Sequence, residues 1–465
     1  MSGLFHGLEI GKRALLTHQL SMTTIGHNLA NVNTPGYSRQ RVSITSAMPL
    51  DMGKFNIGSG VTVTTINHVR DLFLTDQYRR ESRSLGEWTY KEKSLSQIES
   101  FFAEPGDDSL GSALNNFWDS WSSLAAGDAD SSTPRNQIVA SARTLINHFH
   151  AMNRQVTELI SSTDNDIVDR VGQLNQYGKQ IATLNRLVSS EELGGQNAND
   201  LRDQRDYLVD ELSKLVDVTT REEKNGSLNV FVNGLALVED ADMHELMTRK
   251  ISKDNMAINE IIWKDTSTAA KLKGGELKGL LDVRDTIAPR FRSRLDDMAQ
   301  TLVTELNTLH RAGTDVHGDT GYNFFNPVFT TAGTIQLDNN IALDSGRIAA
   351  SLSGEIGDNS NALAIYDIRN NLVGTLGETS ITEYYNSTVG MIGIETREAK
   401  TFKGNFEILI QQISNSRESV QGVSLDEEMA NLVKMQHSYN AAARVITTMN
   451  DALGTVIQGM GVVGR

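Results

Sequence analysis

Residues Pro134 to Val188 read PRNQIVASARTLINHFHAMNRQVTELISSTDNDIVDRVGQLNQYGKQIATLNRLV, and this stretch decides the fold. Apolar side chains recur at Ile138, Ala142, Leu145, Phe149, Met152, Val156 and Leu159. Alternating steps of three and four draw one stripe along an α-helix. The stripe resumes at Ile167, Val171, Leu174, Ile181, Leu184 and Val188, after a candidate break at Ser161-Ser162-Thr163. Pro134 suits the opening of such a helix, where its missing N–H costs no hydrogen bond. A continuous helix over 135–188 would run about 80 Å at 1.5 Å per residue. That is too long for a compact domain and predicts a rod-like bundle.

Toward the N-terminus, an amphipathic pattern from Asn67 to Phe102 carries Val69, Phe73, Trp88, Leu95, Ile98 and Phe101. Residues 103–109 break it, and Leu114, Phe117, Trp118 and Trp121 mark a short aromatic helix. Toward the C-terminus, a helix is predicted over Asp200 to Leu215. Period-two character then appears at 229–234 and 258–263, with the turn dipeptides Asn225-Gly226 and Asn233-Gly234, which predicts a small β subdomain. Helix returns through Leu277, Leu281, Ile287, Phe291, Leu295, Met298, Leu302, Leu306 and Leu309. Residues 313–345, rich in Gly, Asp and Asn, read as loop. A last stripe through Tyr385, Val389, Ile392, Ala399, Phe406, Leu409 and Ile413 leads into the terminal helix.

Both ends of the chain carry heptads. Leu4, Leu8, Leu15, Met22, Ile25, Leu29 and Val32 form the first seam. Leu425, Leu432, Tyr439, Ile446, Leu453 and Met460 form the second, with Met429, Gln436, Ala443, Asn450 and Ile457 at the offset positions. The first helix is otherwise Thr, Ser, Gln, Asn and His, a surface more suited to protein neighbours than to water. Ser424 to Glu427 reads as a capping box at the start of the last helix. Periodicity is compatible with an intramolecular pair closing a domain and equally with an assembly stalk.

The first helix runs into Asn28-Leu29-Ala30-Asn31-Val32-Asn33-Thr34-Pro35-Gly36-Tyr37. Pro35 and Gly36 fit the centre of a type II turn, and Thr34 before proline is pushed out of the helical region. Ala30-Asn31 with Thr34-Pro35-Gly36-Tyr37, close behind a heptad helix, resembles the signature of bacterial flagellar axial proteins. Ser38-Arg39-Gln40, Asp71 to Gln77, Leu201 to Leu212 and Val423 to Asn450 resemble the hook-associated members at the hook–filament junction. Hook proteins, by that resemblance, are largely β between their terminal helices, whereas this chain is helical on both sides of a short β stretch. The chain is shorter than many of these relatives, so a large outer domain found in some of them is expected to be absent.

Composition excludes much else. The chain has 465 residues, a net charge of −15, 39% hydrophobic and 22% charged residues, and no cysteine. The acidity argues against nucleic-acid binding, and the lack of thiols removes disulfides and cysteine-ligated metals. No run of about 18 apolar residues predicts a membrane span. Residues 1–34 lack the apolar core of a secretory signal. No catalytic or metal site is predicted. His244-Glu245 opens a zincin-like pattern, but Thr248 stands where the second histidine belongs. His148 and His150 point to different helix faces, and His18 reads as a packed polar residue. The Gly-Lys pairs lack the Ser or Thr of a P-loop. Asp315 to Asn323 lacks the EF-hand spacing and reads as a solvated loop.

The expectation is a mainly α protein with a long helical bundle body over 36–216 and 271–423. A small β subdomain is inserted at 217–270, and the terminal helices, 1–35 and 424–465, pair as a coiled-coil assembly layer. The resemblance implies a structural, non-enzymatic junction protein that needs no cofactor. It further implies helical self-assembly, the hook protein and a second hook-associated protein as neighbours, and an export chaperone. Export would proceed unfolded and without a cleaved signal peptide. Unpartnered terminal seams predict termini that are disordered in the free monomer. Alternatives are a hook or distal-rod protein of the same family, a peptidoglycan hydrolase, and a cytoplasmic coiled-coil scaffold.

Overall fold

The computed structural model describes residues 2–51, 55–102, 109–128, 130–253, 256–355 and 357–460, without the side chains of residues 2–4, 459 and 460. Helix α1 (Ser2–Ala30) ends at the turn and leads into an antiparallel ribbon. In it β1 (Gln40–Ser46) pairs with β4 (Val61–His68), and β2 (Leu50–Asp51) pairs with β3 (Asn56–Ile57). The ribbon lies along α1: His6 Nε2 is 3.1 Å from Gly58 O. The helix predicted from Asn67 therefore starts later. Asn67 pairs with Arg41 in the ribbon, and α2 (Leu72–Phe102) begins where Asp71 Oδ1 accepts the N–H groups of Phe73 and Leu74 at 2.9 and 3.2 Å. The predicted break at 103–109 lies, apart from Ser109, outside the described residues.

After α3 (Leu110–Ala126), capped by Ser109, comes α4 (Ser132–Glu192), 61 residues in one helix and about 90 Å long. The break considered at 161–163 does not occur. Ser162 Oγ bonds back to Leu159 O at 3.1 Å, and Thr163 is buried, so the polar residues are absorbed into the helix. Helix α5 (Asn199–Leu215) folds back on α4. The β subdomain follows, with β5 (Val218–Glu222), β6 (Leu228–Val232), β7 (Leu235–Glu239) and β8 (Asp242–Met243) in one meander. Strands β9 (Leu246–Lys253) and β10 (Met256–Trp263) form a separate hairpin.

The helix predicted through 277–309 is interrupted. Between α6 (Glu276–Asp282) and α7 (Ala288–Ala312) lies a π-turn at Val283–Ile287. Pro289 has no N–H, and its ring would strike the carbonyl four residues back. The helix widens there, and Ala288 N–H reaches Val283 O, five residues away. Helices α8 (Asn339–Leu343), α9 (Ser360–Asp367), α10 (Ile381–Gln421) and α11 (Leu425–Met460) complete the chain.

Two cores form around α4. One joins the end of α2 with α3, the first half of α4, α7, the start of α10 and residues 324–376, around Phe117, Trp118, Trp121, Phe324 and Phe325. Residues 313–338 are loop-like as predicted, but 339–343 form the short helix α8 that the loop reading missed, and the loop itself buries Phe324, Phe325, Ala332 and Ile335. The other core gathers the second half of α4, α5, α6 and the β subdomain around Ile167, Leu174, Ile181, Val209, Val230 and Trp263. Polar residues about three turns apart stitch α4 to the strands. Asp164 Oδ1 accepts Asn259 N–H at 2.9 Å, and Asn175 exchanges bonds with Leu246 N–H and O at 3.0 and 2.6 Å. Asn185, also buried, does the same with Leu228 at 3.0 and 2.9 Å.

Candidate assembly layer and its joint to the body

Helices α1 and α11 pack antiparallel. Gly11 meets Ile446 near one end and Asn28 bonds Glu428 near the other. A Cβ on Gly11 would lie 2.7 Å from Ile446 Cγ1, so the glycine sets how closely the helices approach. Of the candidate seam residues of the first segment, Ile25 is buried and Leu8, Leu15, Met22 and Leu29 are partly buried on α1; Val32, partly buried too, lies in the turn just past its end, and the Leu4 side chain lies outside the described residues. On α11, Leu432, Tyr439, Ile446 and Leu453 are partly buried. Met435, Ala442 and Met449 stand three residues after the first three of these and share their sheltered side. The offset positions read from the sequence fall four residues after the heptad instead, and Met429 and Ile457 there are 49% and 65% exposed; Leu425 is 54% exposed. Phe5, Leu16, Val433 and Val445 are exposed as well. The pair thus shelters one face and presents large apolar groups on others.

At the turn, Tyr37 N–H donates to Thr34 O at 3.2 Å, with Pro35 and Gly36 between them and Gly36 at φ +77°. A Cβ on Gly36 would come 2.7 Å from Tyr207 Cβ on α5. Asn31 N–H bonds back to His27 O, and its side chain accepts from Thr34 Oγ1. Ala30, Thr34 and Pro35 are exposed.

The hub of the joint is Asn28, which sequence reading passed over. It is 1% exposed and uses its whole hydrogen-bonding capacity. Its Oδ1 accepts from Tyr37 Oη at 2.8 Å and from Gln40 N–H at 2.9 Å. Its Nδ2 donates to Gln40 O at 2.9 Å and Glu428 Oε2 at 3.0 Å. Burial, together with Asp200, Asp203 and Glu428 nearby, pushes the Tyr37 phenol well above its ordinary value, so it stays a donor.

Helix α5 presents an acidic row to the joint. Asp203 Oδ2 accepts Ser38 N–H at 2.8 Å, and its Oδ1 is 2.9 Å from His68 Nδ1. Asp206 pairs with Arg70 and Arg79. Asp210 takes Arg79 Nε at 2.7 Å and Arg417 Nη2 at 2.8 Å. All three carboxylates are buried, and burial pulls the Arg70 guanidinium below its ordinary value. Such a network is costly to break on one side, because the abandoned charge stays buried. The spacing of Asp203, Asp206 and Asp210 puts them on one helix face. That signal was present in the sequence, but their partners come from the turn, β4, the link between β4 and α2, α2 and α10, which no local pattern reveals.

The remaining polar clusters have their own neutralisers. In the Asp315 to Asn323 loop, Arg347 pairs with Asp315 at 3.1 Å and with Asp319, so a guanidinium occupies the place where a cation would be needed. Asp315 is buried, so this loop is less solvated than its composition suggests. Among the described residues, no group of three or more His, Asp or Glu side chains is placed to hold a metal ion, and no helix is long and apolar enough to cross a membrane.

Comparison with known proteins agrees with this architecture. Residues 95–325 match the family model described as the flagellar hook-associated protein FlgK helical domain, and residues 418–459 match the flagellar basal body rod FlgEFG protein C-terminal model. The chain is 32% identical over 508 aligned positions to flagellar hook-associated protein 1 of Bacillus subtilis, covering 100% of both chains. It is 25% identical to the protein of that name from Escherichia coli, over 98% of this chain and all of the relative. The solved structure of the flagellar hook junction protein FlgK from Burkholderia pseudomallei shares the fold, with a TM-score of 0.65 and 16% identity over 74% of this chain and all of that one. A helical body on one long α4, a small β insertion and paired terminal helices thus accompany full-length similarity, and the chain belongs to the flagellar hook-associated protein 1 family.

Proposed function

We propose that this chain is a structural component of the bacterial flagellum that forms the junction between hook and filament, assembling through the α1–α11 layer. The observation that carries the reading is the solvent-facing apolar set Phe5, Leu16, Met429, Val433, Val445 and Ile457 on two helices that already shelter their other side against each other. Burying such side chains against neighbours is worth about 1.5–3 kcal/mol each when complete. Contacts that repeat around an axis without closing build tubes. Its family points to a non-enzymatic role.

The neighbours proposed are further copies of the chain, the hook protein on one side and a second hook-associated protein on the other. An export chaperone is proposed for the C-terminal region, and the cysteine-free chain is suited to export unfolded because no disulfide has to form. A null strain tests the reading. Hooks without filaments support the junction role, whereas loss of hooks supports a hook or distal-rod role instead. Deleting residues 425–465 should leave a folded body and abolish filament attachment; motile cells carrying that truncation would overturn the assembly reading. Immunogold label at the base of detached filaments locates the protein directly.

A further inference from the structure

We infer that the bodies of neighbouring copies pack side by side, with the outer face of α10 in one copy lying against the outer face of α4 in the next. The inference rests on the assembly reading above and adds to the terminal layer a second, heterologous contact between bodies.

Helix α10 exposes apolar side chains that the fold does not use. Ile394 and Ile408 are 65% and 71% exposed and stand two heptads apart on one line. Thr401, Asn405, Gln412 and Asn415 continue that line, and charge enters it at Arg397 and Glu398. A solvated helix face is normally laced with charged residues. On α4, Asn147, Ser161, Asn165, Gln176 and Thr183 stand along the outer face, with Val168 and Leu187 exposed at 38% and 48%. Glycines mark both faces. Gly390 and Gly404 on α10 and Gly172 on α4 have nothing within 4 Å of where a Cβ would stand. Glycine inside a helix costs about 1 kcal/mol against alanine. At Gly86, Gly178 and Gly279 close neighbours within the chain explain that cost. Gly172, Gly390 and Gly404 have no such neighbour, and each leaves room for a second helix to approach.

Placement and charge choose the occupant. Each of α4 and α10 packs on both α2 and α7. They stand at diagonal corners of this four-helix arrangement, so their outer faces look away from each other. A contact that joins two opposite faces of one chain is heterologous and propagates from copy to copy. The faces also differ in sign. Helix α4 exposes Arg143, Arg154, Lys179 and Arg186 against three carboxylates, whereas α10 exposes Glu383, Glu398, Glu407 and Glu418 against two cations. A positive surplus on α4 stands out in a chain of net charge −15. The line from Ser387 to Asn415 is about 42 Å long and about 10 Å wide, or about 400 Å² per copy. A stable dimer needs about 800 Å² per partner. The bodies alone therefore do not hold together, and the contact forms where the terminal layer has already brought copies into register.

The chain has no cysteine, so pairs can be added cleanly. Thr401→Cys is combined in turn with Asn147→Cys, Asn165→Cys and Thr183→Cys, all at exposed positions, in cells that make the full chain. Isolated flagella are treated with a bis-maleimide and run on a denaturing gel. One pair, or two adjacent ones, should give a ladder of dimers and higher species, while each cysteine alone leaves monomers. Adding Ile394→Glu/Ile408→Glu should cut the ladder at least fivefold with the chain still present in the flagella. A chain present in the flagella that no pair cross-links would overturn the contact and leave the assembly reading intact. A ladder from Thr401→Cys alone would overturn the contact too, because like faces would then meet. An unsubstituted chain absent from isolated flagella would overturn the assembly reading and the contact with it.

Discussion

Asn28 and Glu428, 400 positions apart in the chain, share a buried hydrogen bond of 3.0 Å. Through it the first helix, the last helix and the start of the ribbon become one unit. Replacing Asn28 with alanine would leave Glu428, the Tyr37 hydroxyl and both backbone groups of Gln40 short of partners. Buried groups abandoned in this way cost about 1–3 kcal/mol each. Asn28→Ala should therefore raise hydrogen exchange across 5–30 and 425–458 by at least tenfold, while α4 stays protected.

Gly36→Ala meets two obstacles. A residue with a Cβ in the left-handed region costs about 1–2 kcal/mol, and here the Cβ would sit 2.7 Å from that of Tyr207. The expected result is a normally folded body with impaired filament attachment. Adding Tyr207→Gly should recover part of the loss, since it removes the overlapping Cβ but not the backbone strain. A motility assay on the single and double variants checks the order.

His310 makes stability depend on pH. It is fully buried, its Nδ1 lies 2.8 Å from Tyr322 O, and Ala349 N–H donates to its Nε2 at 3.0 Å. The ring is thus held neutral, and burial lowers its pKa from 6.5 to about 4. The unfolded chain takes up a proton near pH 6.5 that the folded chain refuses. The contribution is therefore complete above that pH and is lost as pH falls toward 4, by about 3 kcal/mol in all. Urea unfolding at pH 7 and pH 4.5 should show this drop, and His310→Gln should reduce the difference between the two.

Asn185→Ala should loosen the β subdomain from α4. The side chain satisfies Leu228 N–H and O, Asp240 O and Arg205 Nη1. Losing them should cost about 3 kcal/mol, dominated by the abandoned buried groups. Hydrogen exchange should rise in β5–β8 while the aromatic core around Trp118 remains protected.

Much of this was legible in the sequence, because helices and heptads write their buried faces at fixed intervals. The stripe from Ile138 to Val188 gave α4, and Asn233-Gly234 marked the hairpin turn between β6 and β7. The ribbon at 40–68 was missed, although Val42 and Ile44 alternate with polar neighbours; its strands are exposed and rich in Thr and Ser, so the contrast is faint. The π-turn follows from Pro289 interrupting an otherwise regular stripe. Phe324 and Phe325 are buried without regular structure, which leaves no period to read. The Asn28 hub and the acidic row of α5 join residues more than a hundred positions apart, and such bonds leave no mark on local spacing.

The pairing of α1 with α11 also fixes an order of events. The first helix is made more than 390 residues before the helix that shelters it, and bringing such distant segments together carries a loop-closure cost that only a folded body can reduce. The body, with its contacts spread along α4, is free to form first and to bring the segments leading to α1 and α11 close together, as the bond from Arg39 N–H to Gln421 O shows. The α1–α11 layer is then the last part of the molecule to mature, completed by two helices from opposite ends of the sequence.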